Sequence, residues 1–575
     1  MMITANLKKN TNLFTGFCCL FSALVFGLSA HAAGMFGGIS YHDDVVCTYD
    51  VGTTHIVGRF TLALLGKITR LPFGGSNYSL PWFNGLVSLL FIGLSAWVIA
   101  RALQIENHFL QILLAGILVV FPVVTGTFAY WFTVPYYMLA LFLSCISAVL
   151  LARGSLKSVL TGILLAALMT GIYQAYLPVM LTLEILILLQ KERTGEGSFR
   201  SWLGPLLGSV CGLSLYLVLM KLSLALTGKE LYAYRGVDTL GAGNFGYPER
   251  IAMAYRMFFN QDSFLAYRGS DDYQLFMWSM KPVYCVLIAL LLGMNVLLLF
   301  RSFFSPLPAA GTAAGSGTAA KRPVIFKRSG LLRTCILLLL FPLTVNFIFV
   351  MTDYDVYDLM LYGEVMIFVM LLWLVQQFLE IAPLRRRLLD FPGFLSNSCR
   401  SLSDSADAEA LRRSRSVFHA GTVRRLLPEM LRAISCFLVL YSVLFYVRYD
   451  NLCYYKAGRM QEAAISYDNV LITRIQTLEG YDPSLPVCFL NEFEKDTSFL
   501  AADEELSRVR ITPYDGTEII NDYSWVSFMK VHCGYSPRVI EDYGQYDSYV
   551  ADTQMPRYPS EGSIQIIDGV IVVNF

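Results

Sequence analysis

The chain has 575 residues, of which 55% are hydrophobic and 15% charged, and its formal net charge is +1. A soluble domain carries charge on about a quarter of its residues, so this composition excludes an ordinary soluble protein. The balanced charge also excludes a typical nucleic-acid-binding protein, which has a clear basic excess. Apolar runs close to the roughly 20 residues that cross a bilayer recur along the chain and predict a polytopic membrane protein.

The cysteines and histidines of the sequence form no metal-binding pattern. The twelve cysteines contain no C-x-x-C pair, and the six histidines form no H-E-x-x-H motif. The sequence also shows no convincing Gly-rich phosphate loop of the kind that binds nucleotides. We therefore expect neither a metal site nor a cofactor.

Eleven apolar segments, bounded by charged or turn residues, predict an all-α membrane domain over residues 1–449. The segments cover 13–35, 82–100, 109–129, 134–151, 159–172, 177–189, 202–225, 282–300, 331–350, 359–379 and 434–447. The fifth and sixth are short, and only Gln174-Ala175-Tyr176 separates them. We interpret this pair as a tight helical hairpin. The alternative is one long re-entrant element, which would invert the orientation of everything that follows.

Basic residues near the ends of short loops predict the orientation, because such residues stay on the cytoplasmic side. Lys8 and Lys9 precede the first segment and place the amino terminus inside. Alternation then puts the basic stretches within 301–328 and 385–425 on the same side, whereas 352–358 contains no Lys or Arg. Eleven spans leave the carboxyl terminus outside.

The first segment has two interpretations. Its basic start, apolar middle and Ala30-His31-Ala32 end resemble a cleavable signal peptide. We favour an uncleaved first helix, and cleavage would leave the topology of the later spans unchanged.

Residues 450–575 differ in composition and predict a small α/β domain on the outer side. This stretch is rich in tyrosine and contains 20 acidic against 9 basic residues. Its apolar spacing predicts a helix over 454–478 and short strands over 486–490, 507–511 and 564–575, the last of them buried. The length suffices for a modest hydrophobic core.

A pair of acidic residues, Asp43 and Asp44, directly follows the first segment, and Arg59 comes shortly after it. One carboxylate of such a pair can accept a proton from a sugar hydroxyl while its neighbour orients that hydroxyl or tunes the pKa of the first. Arg59 offers a planar set of donors that suits a phosphate oxygen at the bilayer surface. The alternative is that the two aspartates only cap the amphipathic helix that follows, or lie solvated in a loop.

Three motifs occur in order in the membrane portion: Tyr41-His42-Asp43-Asp44, Gly58-Arg59-Phe60 and Gly171-Ile172-Tyr173-Gln174-Ala175-Tyr176. Their order and placement resemble those of the GtrII-like bacterial glucosyltransferases, in the GT-C class of membrane glycosyltransferases. The resemblance covers most of the membrane portion and, more vaguely, the tail. The arginine that the family usually carries soon after the acidic pair has no obvious counterpart here, where Val45-Val46-Cys47 follows. This departure from the family pattern bears on the identity of the substrate more than on the enzyme class.

The resemblance implies an inverting glycosyl transfer at the outer face of the bacterial cytoplasmic (inner) membrane. The donor would be a sugar, most simply glucose, on a polyprenyl monophosphate that other membrane proteins synthesise and flip. The acceptor would be a hydroxyl of a cell-envelope glycan such as the O-antigen. GT-C enzymes tend to carry the base as the first acidic residue of the pair, which implies Asp43 as the base and Asp44 as its orienting partner.

Further candidates for substrate binding lie in predicted outer loops. Tyr173 and Gln174 suit hydrogen bonds to a sugar, although an interfacial aromatic belt explains them equally well. Arg235 and Arg256 belong to the long loop 227–281, where interleaved tyrosines suit a lipid phosphate and a stacked sugar. Solvated loop charges are the alternative for these two arginines.

Two acidic residues lie within predicted spans, where each charge costs about 2.5 to 3.5 kcal/mol at the helix centre. A partner or a wet cavity is therefore expected. Glu184 is near the middle of its segment, and we expect a structural role for it. Glu364 is near the outer end of its segment, from which its side chain can snorkel.

Two other functions fit a polytopic envelope protein. A transporter or flippase of lipid-linked sugars would show intramembrane charges or broken helices in matching halves, and no such pairing is evident. A non-catalytic envelope-assembly protein would bind a partner through its tail. Replacement of Asp43 and Asp44 by Asn distinguishes the enzyme from these two alternatives, because only the enzyme would lose glycan transfer while remaining folded and inserted.

Overall fold

The computed structural model describes residues 2–232, 245–259, 274–304, 330–352, 356, 358–381, 408–491, 506, 509, 519–521, 523–540 and 543–575. Eight of the described helices are long and apolar enough to cross a membrane, or up to nine if the bent pair His108–Val120 and Pro122–Phe128 forms one span. These helices identify a membrane protein, as the sequence predicted. The count of eleven spans stays a prediction, because Leu156–Thr170 and Leu331–Val345 have only 15 residues each.

The helical part of the chain is a succession of helices joined mostly by short connections. In chain order they are α1 (Met2–Phe36), α2 (His42–Val46), α3 (Phe60–Arg70), α4 (Pro81–Ala102), α5 (His108–Val120), α6 (Pro122–Phe128), α7 (Val134–Arg153), α8 (Leu156–Thr170), α9 (Leu177–Thr194), α10 (Leu203–Thr227), α11 (Tyr247–Phe259), α12 (Gln274–Phe304), α13 (Leu331–Val345), α14 (Ile348–Met351), α15 (Val365–Ile381) and α16 (Ala408–Gln476). Short 3₁₀ segments cover His55–Val57, Leu71–Phe73, Gln174–Tyr176, Phe199–Trp202 and Asp358–Glu364.

The bend between α5 and α6 has a local cause. Phe121 adopts an extended conformation (φ −60°, ψ 127°) immediately before Pro122. Proline lacks a backbone donor and disfavours the helical conformation in the residue before it, so the helix breaks and its axis turns by 44°. The turn leads the chain into the loop 129–133, which reaches the candidate site.

The fifth and sixth predicted segments are two separate helices. Tyr173 is extended (φ −155°, ψ 115°) after the end of α8, and a 3₁₀ turn over Gln174–Tyr176 leads into α9. Pro178 lies in the first turn of α9, where a missing backbone donor costs no helical hydrogen bond. Both helices pack against α7. The connection 171–176 therefore lies beside the first residues of α7.

Polar contacts define the two ends of the helical domain. At one end, the first-loop end, the backbone N–H of Thr61 donates to the Gly171 carbonyl (2.9 Å) and the Asn84 amide donates to the Trp131 carbonyl (2.8 Å). At the opposite end, the far end, Arg333 forms a two-pronged ion pair with Glu192 (2.7 and 2.9 Å). The first-loop end carries the predicted catalytic residues.

The helix α15 is the centre of the domain. It forms most of the span Leu359–Leu379, whose most apolar 18-residue stretch is completely buried inside the protein. Its polar side chains pair with those of neighbouring segments. The Trp373 indole N–H donates to the side-chain oxygen of Gln190 (2.7 Å). The side-chain nitrogen of Gln190 in turn donates to the side-chain oxygen of Gln104 (2.9 Å). Buried polar groups are expected to be satisfied in this way.

The two acidic residues of the predicted spans, Glu184 and Glu364, lie in different environments. Glu184 accepts the hydroxyl of Ser209 at 2.9 and 3.0 Å, which supports the structural role expected for it. Glu364 is only 1% exposed, so the prediction that it snorkels is wrong. The reason is tertiary packing, because the 3₁₀ segment that ends at Glu364 is covered by α6 and α9.

The carboxy-terminal part contains a three-stranded sheet and the end of a very long helix. α16 runs without interruption through residue 449 to Gln476 and includes most of the helix predicted over 454–478. The sheet consists of β1 (Val487–Leu490), β2 (Ile564–Ile567) and β3 (Val570–Asn574), with β3 in the centre. β1 is parallel to β3, and β2 is antiparallel to it. The domain boundary at 449/450 stays a prediction.

One strand prediction for this part is wrong and another lies mostly outside the described residues. Residues 564–575 form a hairpin of β2 and β3 rather than a single strand. Asp568 (φ 48°) and Gly569 (φ 79°) form its turn, and Asp-Gly is a strong signal for a two-residue hairpin turn. Of the predicted strand 507–511, only residue 509 is described.

Candidate active site

The acidic pair lies on the short helix α2, which follows α1 directly. The helix begins with the backbone N–H groups of Asp44 and Val45 donating to the Tyr41 carbonyl (2.9 and 3.2 Å). Successive residues of a helix are rotated by about 100°, so the two carboxylates point in different directions. The side chain of Asp43 is 34% exposed, whereas Asp44 is only 5% exposed. Asp43 alone of the pair is accessible to a substrate.

Asp44 anchors the first loop to two other segments. Its Oδ1 accepts the Ser79 hydroxyl (3.0 Å), and its carboxylate also accepts the backbone N–H of Phe132. Burial raises the pKa of Asp44 to about 7; the charge of Asp43 adds to this rise, and the two hydrogen bonds oppose it. Asp44 is therefore a buried carboxylate that holds the first loop against Ser79 and Phe132.

Asp43 is held by a residue from the carboxy-terminal part of the chain. The Tyr523 hydroxyl donates a hydrogen bond to its Oδ1, and Nε2 of His42 lies 4.0 Å from the same oxygen. The rings of His42 and Tyr523 are edge to face, with centroids 6.1 Å apart. Both described contacts of the Asp43 carboxylate are made by Oδ1.

Arg59 immediately precedes α3 and is stacked on two tyrosines. Its Nη1 donates to the Tyr137 hydroxyl (2.7 Å), and its Cζ lies 5.0 Å from the centroid of the Tyr173 ring. The two tyrosine rings are themselves stacked, with centroids 4.3 Å apart and planes 10° from parallel. A guanidinium over an aromatic face gains a cation–π attraction, so this group is positioned rigidly.

The loop that carries Arg59 is held by Gln174 and Tyr216. The Gln174 amide nitrogen donates to the Val57 carbonyl (3.0 Å) and to the Tyr216 hydroxyl (3.0 Å). Gly58 has a φ of 74°, and a Cβ there would lie 2.5 Å from the Tyr216 hydroxyl oxygen. The third motif therefore positions the second one. Tyr173 is buried, and direct contact of Tyr173 or Gln174 with a sugar stays a prediction.

One segment links the acidic pair to Arg59 and the two tyrosines that contact it, here called the Arg59 group. The backbone N–H of Phe132 binds Asp44, and Tyr137, five residues later in the first turn of α7, binds Arg59. Five residues span at most about 18 Å even when fully extended, and much less where they are helical. Residues 132–137 thus connect Asp44 to Arg59 at the first-loop end.

The two remaining arginine candidates are not part of this group as described. Arg235 lies outside the described residues. Arg256 is exposed on α11, which packs against α13 and α14, and no described contact joins it to the Arg59 group. Their contact with substrate stays a prediction.

Sequence reasoning missed four residues of the site: Ser79, Tyr137, Tyr216 and Tyr523. Each contacts a predicted residue from a distant part of the chain. None belongs to a motif with characteristic spacing, so only the tertiary structure reveals them. Tyr137 was the most accessible to prediction, because it lies in the first turn of a helix at the membrane boundary, where tyrosine often has a polar partner.

Comparison with known families settles the class of the protein. The family model of glucosyl transferase GtrII matches residues 32–368, which is more than half of the chain. The chain belongs to the GtrII glucosyl transferase family. No curated protein and no solved structure gives a significant match.

The match to the GtrII family includes the acidic pair, Arg59 and the connection 171–176. It therefore confirms the resemblance that these motifs suggested, and it makes the protein a glucosyltransferase by family. The carboxy-terminal part with Tyr523 lies beyond the matched residues. The contact between Tyr523 and Asp43 is thus a feature of this chain that the family match does not cover.

Proposed function

We propose that this GtrII family member transfers a glucosyl unit from a polyprenyl monophosphate to a hydroxyl of a cell-envelope glycan. The observation that supports this most strongly is one arrangement at the first-loop end. An accessible carboxylate, Asp43, is linked through Asp44, residues 132–137 and Tyr137 to a rigidly held guanidinium, Arg59. A base for a hydroxyl and a cation for a phosphate are the two groups that such a transfer needs.

The proposed reaction is a single displacement. The Asp43 carboxylate accepts the proton of the acceptor hydroxyl as that oxygen attacks the anomeric carbon of the donor. The bond from the anomeric carbon to the phosphate oxygen breaks, and its electron pair leaves with the polyprenyl phosphate. Attack opposite to the leaving group inverts the anomeric configuration. Arg59 stabilises the charge that develops on the phosphate.

The chemistry is proposed to take place on the outer side of the cytoplasmic membrane. The carboxy-terminal part contacts the first-loop end through Tyr523, so both belong on the same side of the membrane. Lys191, Arg200 and Arg333 all lie near the far end. Basic residues are retained inside, which supports a cytoplasmic far end and an outer first-loop end.

Turnover by purified protein in detergent tests the proposal. The donor is synthetic polyprenyl-phosphate glucose, and the acceptor is envelope glycan extracted from cells that lack the protein. General-base assistance contributes about 10² to 10⁴ in rate, so Asp43→Asn is expected to lower kcat by that factor with little change in donor KM. Asp44→Asn is expected to cost less, because its side chain positions the loop without reaching the substrate.

Asp50→Asn is the matched control, since Asp50 is an exposed carboxylate of the same loop whose described hydrogen bond is to the adjacent Val51 N–H. It is expected to keep wild-type turnover. Full activity of Asp43→Asn together with an inactive Asp44→Asn would reverse the two roles. Full activity of both would remove the acidic pair from the reaction.

A further inference from the structure

Tyr523 is held in place by the packing of the carboxy-terminal part against the first loop. It lies between Asn521 and the helix α17 (Trp525–Cys533), in a turn closed by a hydrogen bond from the Asn521 N–H to the Ser524 hydroxyl (2.9 Å). The indole N–H of Trp525 donates to Asp468 on α16 (2.9 Å). The turn is therefore tied to α16.

Further contacts dock this part of the chain onto the loop that carries the acidic pair. Phe528 is completely buried against Val45 and Ala464. The Gln461 side chain accepts the Ser40 N–H (2.8 Å) and donates to the Gly38 carbonyl (2.9 Å). These contacts lie on both sides of Asp43 in the sequence. The hydrogen bond from Tyr523 to Asp43 is thus one element of a larger docked surface.

The ring of Tyr523 remains available to a ligand although its hydroxyl is engaged. Tyr523 is 61% exposed, and it lies beside the partly exposed side chains of Asp43 and His42. An exposed aromatic face next to a carboxylate and an imidazole combines the two features that recognise a pyranose. The ring covers the apolar C–H face of the sugar, and the polar groups bind its hydroxyls.

We infer that the carboxy-terminal part forms the acceptor side of the site and that Tyr523 contacts a pyranose unit of the acceptor glycan. This inference rests on the proposed function, since Asp43 is the group that receives the acceptor proton. The Tyr523 hydroxyl fixes Oδ1 of Asp43 and leaves Oδ2 to the acceptor hydroxyl, while the ring supports the sugar that carries this hydroxyl. The donor side, around Arg59, is built without Tyr523.

Two substitutions separate the hydroxyl from the ring. Tyr523→Phe keeps the ring and is expected to lower kcat about tenfold, the effect of one hydrogen bond to a charged group, with the acceptor KM unchanged. Tyr523→Ala removes both and is expected to raise the acceptor KM about three- to tenfold as well. Donor KM stays at the wild-type value in both variants, and the thermal midpoint falls equally in both, by the loss of one hydrogen bond. Tyr455→Ala is the control, because Tyr455 is 59% exposed on α16 and makes no described contact with the site.

Wild-type values of kcat and acceptor KM in Tyr523→Ala would overturn the inference. A donor KM that rises by the same factor as the acceptor KM would also overturn it, and so would a thermal midpoint lower in Tyr523→Ala than in Tyr523→Phe, because either result shows a merely structural role. Direct binding of the glycan to the protein keeps this test separate from the proposed function. If the wild-type protein transfers no glucose, the proposed function fails. Weaker glycan binding by Tyr523→Ala than by Tyr455→Ala would still support the acceptor surface, and equal binding would refute it.

Discussion

Arg59 and Tyr173 are in direct contact, with the guanidinium carbon 5.0 Å from the centre of the tyrosine ring. One residue precedes an amphipathic helix of the first loop, and the other lies in the break between α8 and α9. Two motifs that are far apart in the sequence therefore form a single group. The contact with the tyrosine ring gains a cation–π attraction that helps to hold the guanidinium in place, and a guanidinium presents a planar set of donors that suits the phosphate proposed as its ligand.

Substitution of Arg59 tests the phosphate contact. Arg59→Ala removes the charge and the stacking, and a charge-assisted contact of about 1.5 to 3 kcal/mol predicts a loss of roughly 10- to 100-fold in kcat/KM for the donor. Arg59→Lys keeps a point charge without the planar fork and should lose less. Steady-state kinetics with polyprenyl-phosphate glucose measures both. Arg70→Ala, an exposed basic residue at the end of the same helix, should match the wild type. Unimpaired turnover in both Arg59 variants would limit this residue to its structural contacts with Tyr137 and Tyr173.

The loop conformation before Arg59 gives a second prediction. Gly58 has a positive φ, and an added Cβ would lie 2.5 Å from the Tyr216 hydroxyl oxygen and 3.0 Å from the Met220 sulfur. Gly58→Ala should therefore lower the thermal midpoint by the equivalent of about 1 to 3 kcal/mol and reduce donor kcat/KM. Gly74→Ala is the matched control, because Gly74 has a similar φ of 69° and nothing within 4 Å of the added Cβ. Equal losses in the two variants would show that backbone strain alone matters and that contact with Tyr216 does not.

The sequence predicted the class of the fold well, because the features that define it are local. Apolar length and charge placement identify membrane helices without any knowledge of tertiary contacts. The sequence also indicated Asp43, Arg59 and Tyr173 as candidate site residues; Arg59 and Tyr173 are in contact in the structure, and their roles in the reaction stay predictions. The single strand predicted over 564–575 was wrong although the Asp568-Gly569 turn was visible in the sequence.

What the sequence did not reveal depends on distant partners. Tyr523 reaches Asp43 only because α16 and α17 dock onto the first loop. Glu364 is buried only because α6 and α9 cover it, so its position near the end of an apolar segment was misleading. Neither arrangement leaves a periodic or local pattern that composition or spacing detects.

The orientation of the chain predicts a labelling pattern. Ser560 belongs to the carboxy-terminal part and Ser414 to the basic stretch before the last predicted span. In a background without other reactive cysteines, Ser560→Cys should react with a membrane-impermeant thiol reagent in spheroplasts. Ser414→Cys should react only after lysis, because basic residues hold its segment inside. Reaction of both positions in intact spheroplasts would contradict the proposed topology.

The buried carboxylate of Asp44 predicts a specific pH dependence of stability. Burial raises its pKa to about 7, from the usual value of 3.8, so the folded protein holds this proton more tightly than the unfolded chain does. The stabilisation that results is complete below about pH 4 and is lost as the pH rises through about 7. Asp44→Asn is permanently neutral, and its side-chain oxygen can still accept the Ser79 hydroxyl. The free energy of unfolding of the variant should therefore not show this loss as the pH rises through about 7.

Thermal midpoints of the wild type and Asp44→Asn, measured in detergent between pH 5 and pH 8, test whether this stabilisation is lost as the pH rises. The midpoint of the variant should rise relative to that of the wild type as the pH increases, by an amount equivalent to at most about 3 kcal/mol. Asp50→Asn provides the control, because Asp50 is exposed and its variant should follow the wild type at every pH. A constant difference between Asp44→Asn and the wild type across this range would mean that Asp44 stays ionised in the folded protein. The first loop would then require a compensating positive charge near Asp44, and Asp44 could not serve as the neutral anchor beside Asp43.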